Sequence, residues 1–302
     1  MRNHAGSHET RWVFVVALVV LVFSCFLFTG PPLPANAIEM QKLPVPVPIQ
    51  RYPIAKVPDL IVSSLSIPSY GVIGGQIKVT DTTRNNWYGS TTQATRTRYW
   101  LSADNTVGND IYVGEREIPP LMAFSESTWV GSFKVPSSMQ IAPYYVLVCA
   151  DNNGIVPEGN ERNNCRFSTN KIMFGYQNLM MKSLSNPPAT IPTNQPFRVT
   201  DTVFNNGQVP IDVETVTKYY MSDDRTVGND VYLGNRVVPA GLLGGAENTG
   251  SSWLVFLWEW AADQRPFYLL ACADNTALLR EWSEQNWDNC RFSDTRFQMT
   301  YQ

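Results

Sequence analysis

The sequence predicts an all-β protein made of two successive antiparallel β-sandwiches, and three observations predict it. Beyond residue 57, short β-rich runs alternate with turn residues. The order of those runs repeats once, at a period near 120 residues. Four of the five cysteines sit in two hairpins of one design, one hairpin in each repeat.

The chain has 302 residues, enough for two domains of ordinary size. Its hydrophobic content of 44% and aromatic content of 12% fit folded globular material. A formal net charge of −3 and a pI near 5.5 exclude a basic nucleic-acid footprint.

Residues 1–37 read as a signal peptide. Arg2 and Arg11 flank a polar start, a charge-free apolar run extends from Trp12 to Phe28, and Ala35-Asn36-Ala37 forms an A-x-A cleavage site. The run is longer than the usual apolar region of a signal, so an uncleaved membrane anchor is the alternative. Cys25 does not suit a lipidation junction, because Phe23 and Phe26 to Phe28 surround it, and it reads as an apolar residue of the removed segment. Cleavage after Ala37 would remove two of the 23 basic and one of the 26 acidic residues, moving the net charge from −3 to −4. It would also remove His4 and His8, the only histidines. Ser-His-Asp chemistry, Cys-His chemistry and His-ligated zinc would then be unavailable to the mature chain.

Residues 38–57 are punctuated by proline, including Leu43-Pro-Val-Pro-Val-Pro-Ile49, and predict an extended, semi-stiff linker. The repeats follow, expected over 58–175 and 176–302. Val79-Thr-Asp-Thr82 returns as Val199-Thr-Asp-Thr202, and Asn85-Asn86 as Asn205-Asn206. Tyr99 and Ser102 return as Tyr219 and Ser222, and Thr106–Asp110 returns letter for letter as Thr226–Asp230. Gly114, Arg116 and Pro119 match Gly234, Arg236 and Pro239. The offset is 120 up to this point and widens to 123 and 125 at the cysteines, as small loop insertions would make it.

In the first repeat strands are expected near 59–67, 76–83, 96–102, 111–118, 127–134, 143–151 and 164–173. The run Gln76-Ile-Lys-Val-Thr alternates as a half-buried strand does, and Asn-Asn, Gly-Gly, Pro-Pro and Asn-Gly clusters separate the runs. No stretch after residue 37 carries helical periodicity. About seven strands in ~110 residues point to a sandwich of immunoglobulin-like type, with a barrel as the alternative.

Each hairpin reads as a strand, a long polar turn and a returning strand. An export signal with an even number of mature cysteines implies disulfides and an oxidising compartment. Of the three pairings that four cysteines allow, Cys149–Cys165 with Cys272–Cys290 respects the repeat. The rival, four thiolates on a metal, lacks any C-x-x-C spacing.

With these motifs in view, both repeats resemble CARDB domains, the bacterial "cell adhesion related" β-sandwich module. The resemblance rests on the opening Pro58-Asp-Leu-Ile-Val, the Val-Thr-Asp-Thr and Asn-Asn motifs, and Ser102 and Asp104 with Ser222 and Asp224. It rests further on Asp110 and Asp230, Gly114 and Gly234, the Cys-Ala-Asp motifs, and Glu158-x-x-Glu161-x-Asn-Asn-Cys165. It covers roughly residues 58–302. The second copy departs from it at its opening, Asn178-Leu-Met-Met, and in its longer run from Glu284 to Cys290. The resemblance implies extracellular adhesion, spacing or presentation, and brings no catalytic residues.

Three sets of residues invite chemistry. Asp104 and Asp110, with Asp224 and Asp230, are calcium candidates because loop carboxylates supply the oxygen ligands Ca²⁺ prefers. The spacing is not that of an EF-hand, and Asp, Asn and Gly also shape turns, so the turn is the favoured role and no cofactor is expected. Asp151, Glu158 and Glu161, with Asp274, Glu281 and Glu284, could serve as paired hydrolytic carboxylates, although a duplicated scaffold turn accounts for them better. The tryptophans differ most between copies. Trp258 and Trp260 share one side of a strand if period 2 holds, a side read as core, while Trp282 and Trp287 flank the extended hairpin loop and form the expected binding surface.

The sequence thus predicts a secreted, periplasmic or cell-surface protein, not an enzyme, that presents loops and sheet edges to a protein or glycan. It predicts no nucleic-acid partner, and membrane attachment only if the leader is retained. The alternatives are a carbohydrate-binding module using exposed tryptophans and an accessory domain pair of an exported hydrolase system.

Overall fold

The structure, a computed structural model, describes residues 56–257, 260, 265–274, 277–279, 281 and 287–300. The expected leader, most of the linker, and Trp258, Trp282 and Glu284 lie outside the described residues. Among the described residues no helix is long and apolar enough to cross a membrane.

The described chain is all-β. Its first part contains β1 (Leu60–Ser66), β2 (Tyr70–Val72), β3 (Gln76–Asn85), β4 (Thr95–Ser102), β5 (Ile111–Ile118), β6 (Glu126–Lys134), β7 (Ala142–Cys149), β8 (Cys165–Phe167) and β9 (Ile172–Gly175). One sheet runs β1-β3-β6, and the other runs β2-β9-β7-β4-β5 with β8 also on β7. The second part contains β10 (Leu179–Leu184), β11 (Thr190–Pro192), β12 (Pro196–Asn205), β13 (Thr215–Ser222), β14 (Val231–Val238), β15 (Glu247–Val255), β16 (Tyr268–Cys272), β17 (Cys290–Phe292) and β18 (Gln298–Thr300). Its sheets run β10-β12-β15 and β14-β13-β16-β17, with β11 and β18 as a separate pair. Among the described residues no sheet joins strands of the first part to strands of the second.

Alternation dictates the packing. In β3, Ile77 and Val79 face inward while Gln76 and Lys78 face out, and β12 repeats the pattern with Phe197 and Val199. Each part encloses its own core. Tyr99, Val146, Ile172 and Phe174 anchor the first, and Tyr219, Leu269, Phe256 and Phe297 the second. Gly114 lies opposite the irregular step between Tyr99 and Trp100, and a β-carbon there would come within 2.5 Å of the Phe133 ring. Its counterpart Gly234 faces the same step at Tyr219 and Tyr220.

The strands follow the expectation, with three differences. The run 164–173 is two strands, because the Ser168 hydroxyl accepts a hydrogen bond from the N–H of Val146 (3.0 Å) and donates to the carbonyl of Asn170 (2.6 Å), turning the chain between β8 and β9. Residues 70–72 form a strand the sequence did not announce, and it pairs parallel with β9, as β11 does with β18. Trp260 lies beyond the end of β15, half-buried against the second core, so strand spacing does not govern it.

Candidate functional site

Each repeat holds a buried ionic triad that reading the motifs one by one did not assemble. Asp81 on β3 accepts Arg116 Nη2 at 2.7 Å and Nε at 3.1 Å from β5, and the Tyr99 hydroxyl of β4 donates to it at 2.5 Å. In the second copy Asp201 accepts Arg236 Nε at 2.6 Å and Nη2 at 2.7 Å, with the Tyr219 hydroxyl at 2.6 Å. Both aspartates are fully buried. The remaining guanidinium donors bind the facing edge strand, reaching the Ser127 carbonyl (2.8 Å) in one copy and the Asn248 carbonyl (3.0 Å) in the other. Burial first, then the hydrogen bond to the aspartate, pushes both tyrosines well above the usual phenol range. Buried charge survives here because it is paired and hydrogen-bonded, and the triad ties the two sheets together across the core.

The hairpin carboxylates are placed next. Cys149 and Cys165 are direct cross-strand partners joined by a disulfide, as are Cys272 and Cys290, so both predicted pairings are present. Inside the closed loop, Asp151 accepts the N–H groups of Ile155 (3.2 Å) and Val156 (2.8 Å), and Asp274 those of Leu278 (3.3 Å) and Leu279 (3.0 Å). Glu158 reaches out of its loop to accept the N–H of Leu60, and its other oxygen takes the Asn164 amide at 2.9 Å. Glu281 does the same with Leu179 N (2.7 Å) and Asn289 Nδ2 (2.8 Å). Each glutamate thereby fastens the disulfide loop to the first strand of its sandwich. Burial pushes Glu158 up to about 7 despite the N–H of Leu60, and burial also raises Glu281 and Asp151. Glu161 Oε1 accepts the N–H of Glu158 at 2.9 Å. These carboxylates are thus committed to main-chain donors, an arrangement that shapes loops.

The calcium candidates have similar local partners. Asp104 Oδ1 accepts the N–H (3.0 Å) and hydroxyl (2.8 Å) of Thr106, and Asp110 Oδ2 the N–H of Gly108 (3.1 Å). Asp224 repeats this with Thr226 (2.8 and 2.5 Å), and Asp230 with Gly228 (2.9 Å). The hydrogen bonds from Thr106 and Thr226 hold Asp104 and Asp224 below the usual carboxylate range. Among the described residues no group of three or more metal-ligating side chains is gathered. A cleft of about 650 Å³ opens beside the second loop, lined in part by Asp223, Asp224, Asp230 and Trp260, and Arg265 Nη1 lies 3.3 Å from Asp223 within it.

The binding surface expected at Trp282 and Trp287 borders residues 282–286, which lie outside the described residues. Trp282 lies outside the described residues, and Trp287 opens the short 3-10 turn Trp287–Asn289 ahead of β17. An exposed aromatic cluster stands at one end of the first sandwich. The β3–β4 loop carries Trp87 and Tyr88, and the β5–β6 loop carries Met122 and Phe124. Tyr88 meets Trp87 and Phe124 edge to face, with centroids 5.4 and 4.9 Å apart. The three rings are 41–49% exposed and Met122 is 73% exposed. Asn85, fully buried, holds the base of the cluster by donating to the carbonyls of Gly89 (2.6 Å) and Met122 (3.2 Å). Phe124 sits at φ +60°, a backbone region that bulky side chains seldom occupy. Elsewhere, Trp253 is 68% exposed on the outer face of β15, directly opposite Arg198 of β12. The signal for the first cluster was present in the sequence, as two loop aromatics absent from the second repeat.

Residues 57–168 match the CARDB family model. No curated protein matches the chain. Among solved structures, the chain is similar to the CARDB domain of a Pyrococcus furiosus protein, crystallised in complex with di-metal ions, at 16% identity and TM-score 0.31, covering 39% of this chain and 90% of that one. The solution structure of the same Pyrococcus domain aligns at 18% identity and TM-score 0.31, covering 39% and 96%. A domain of a Methanosarcina acetivorans protein that carries a cell-surface designation aligns at 20% identity and TM-score 0.30, covering 39% and 93%. The comparisons therefore place one CARDB match in this chain, over residues 57–168.

Proposed function

We propose that this protein is a non-enzymatic, exported binding module built of two tandem CARDB-like sandwiches, and that it presents loop ends and sheet edges to a partner at the cell envelope. The observation that carries this reading is the solvent-facing cluster of Trp87, Tyr88 and Phe124, held on paired loops by Asn85. Rigid aromatic rings give large contact area at low entropic cost, which is how binding surfaces gain affinity. Two cross-strand disulfides fit an oxidising compartment. The hydrogen bonding of the hairpin carboxylates supports a scaffold role over a hydrolytic one.

The test uses the exported protein and isolated envelopes of the producing cells, with bound protein measured by co-sedimentation. The variant Trp87→Gly/Tyr88→Gln/Phe124→Gly binds at least tenfold more weakly on this account. Equal binding by wild type and variant would overturn it.

A carbohydrate-binding reading is favoured by one separate observation. Exposed Trp253 lies beside Arg198 and a row of hydroxyl pairs, Thr200 with Ser251 (2.9 Å) and Thr202 with Thr249 (2.8 Å). A stacking ring beside such donors suits a sugar chain. Polysaccharide binding abolished by Trp253→Ala would establish it, and absence of polysaccharide binding by the wild type would remove it.

A further inference from the structure

The outer face of each hairpin sheet carries the same row of side chains. In the second sandwich Tyr220 of β13 lies directly opposite Tyr232 of β14 on one side and Leu270 of β16 on the other, and Leu270 lies opposite Phe292 of β17. In the first, Trp100 stands between Tyr112 and Leu147, and Leu147 stands opposite Phe167. The ring contacts match as well. Tyr220 meets Tyr232 at 5.8 Å as Trp100 meets Tyr112 at 6.0 Å, and Tyr268 meets Phe292 as Tyr145 meets Phe167, both at 6.4 Å. The row faces away from the core, because the alternating residues Tyr219, Met221 and Leu269 belong to that core while Tyr232 is 47% exposed.

The two rows differ in charge. In the first sandwich Arg96 and Arg98 both pair with Glu115, and Glu117 stands opposite Arg96. At the offset of 120, Glu115 and Glu117 become Asn235 and Val237, while Arg98 becomes Lys218. The second sandwich also gains a cation. Lys171 lies over the Tyr145 ring at 4.7 Å, and its counterpart Arg296 lies over Tyr268 at 4.8 Å. Arg225, where the first repeat has Asn105, joins it over the same ring at 5.1 Å. Among the described residues no ion pair reaches Lys218, Arg225 or Arg296, and Asp224 and Asp294, close in sequence to the two arginines, form none with them. The second sandwich thus keeps the rings and the cations without the glutamates that neutralise them in the first.

The cations flank the row. Lys218 lies opposite Cys272 on one side of it, and Ser222 lies opposite Tyr268 on the other, four residues or about 13 Å further along β13. Asn235, opposite Lys218, donates its amide to the Tyr232 hydroxyl at 2.7 Å and so links the lysine side of the face to the rings. A ligand that fills this face is extended, apolar and hydroxylated along its middle, and anionic at intervals. A guanidinium resting on an aromatic ring is pre-organised with its planar fork available to a carboxylate. A neutral glycan would leave three cations unmatched, and a polyphosphate would supply charge without an apolar body for the rings.

We propose that this face, with Lys218, Arg225 and Arg296 set about Tyr232, Tyr268 and Phe292, binds a carboxylate-bearing polysaccharide. The sugar rings lie along the aromatic row, and the carboxylates meet the cations on either side of it. The site uses neither the Trp87 cluster nor Trp253, which belongs to the other sheet of the second sandwich, so it stands whether or not those readings hold.

The probe is polygalacturonate, titrated into the full exported protein at low salt with binding read by calorimetry. Dextran, polyphosphate and poly-glutamate are the comparison ligands. Wild type should bind polygalacturonate most tightly, and added salt should weaken that binding. Asn235→Glu/Val237→Glu restores the first repeat's carboxylates at two exposed positions. It should weaken binding about tenfold or more, as should Arg225→Asn/Arg296→Gln, while the urea midpoint stays at the wild-type value. Trp253→Ala should bind polygalacturonate as wild type does. Absence of polygalacturonate binding by the wild type overturns the proposal. Binding of polyphosphate or poly-glutamate as tight as that of polygalacturonate overturns the glycan assignment. Unchanged affinity in both charge variants overturns the location.

Discussion

Arg236 meets both carboxylate oxygens of Asp201 in the second core, at 2.6 and 2.7 Å, and the same pair recurs as Arg116 and Asp81 in the first. The two partners lie on different sheets, so the pair sets the depth at which the sheets stack. Removing one partner leaves a charge buried without compensation, which costs about 3–5 kcal/mol, whereas replacing both with apolar residues is far milder. Arg236→Met should therefore destabilise the protein by about that amount, and Asp201→Leu/Arg236→Met by clearly less, in urea unfolding followed by near-UV circular dichroism. A single-variant loss below ~1 kcal/mol would contradict the account.

Glu158 should give stability a distinctive pH dependence. Its folded pKa is raised from 4.5 to about 7, mainly by burial. Between those values the folded state binds the proton more tightly, so its contribution is full below about 4.5 and is lost as pH rises towards 7. Glu281 and Asp151 are shifted in the same direction. Glu158→Gln should flatten part of this decline, so that the melting temperature of the variant gains on wild type from the lower to the upper end of that window. A difference independent of pH would show that the shift is absent.

The disulfides close loops of 16 and 18 residues in sequence separation. By the chain-entropy argument each contributes about 3 kcal/mol. Cys149→Ser/Cys165→Ser should lower stability by about that amount, measured by denaturant unfolding against wild type. A variant as stable as wild type would assign the hairpin's rigidity to Glu158 and Asp151 alone.

Phe124 pays for its position with a left-handed backbone that costs of order 1 kcal/mol, and the corresponding Gly245 shows that glycine serves the turn. Phe124→Gly removes that strain together with the ring's contact to Tyr88, so stability should stay within about 1 kcal/mol of wild type while partner binding falls. A thermal melt with a binding isotherm separates the two effects. A large loss of stability would make Phe124 a structural residue.

Much of the fold was legible because period-2 alternation and duplicated turn residues report directly on strands, as in the run from Gln76 to Thr80. The parallel pairing of Tyr70–Val72 with β9 was not, since three residues containing a glycine carry no periodic signal and the partner lies about a hundred residues away. The triads were visible only as repeated letters. Asp81 and Arg116 are 35 residues apart, and only sheet stacking brings them together. The hairpin carboxylates could not be assigned from spacing, because Glu158 finds its partner at Leu60, 98 residues back. The aromatic end was readable by subtraction, as Trp87 and Tyr88 standing where the other copy has Gly207 and Gln208.

The most direct test compares envelope binding by three forms of the exported protein: wild type, Trp87→Gly/Tyr88→Gln/Phe124→Gly, and Glu158→Gln/Glu281→Gln. The account predicts that the aromatic variant loses at least tenfold in affinity and that the carboxylate variant binds as wild type does. Retained binding by the aromatic variant, with loss in the carboxylate variant, would contradict it and return function to the disulfide hairpins.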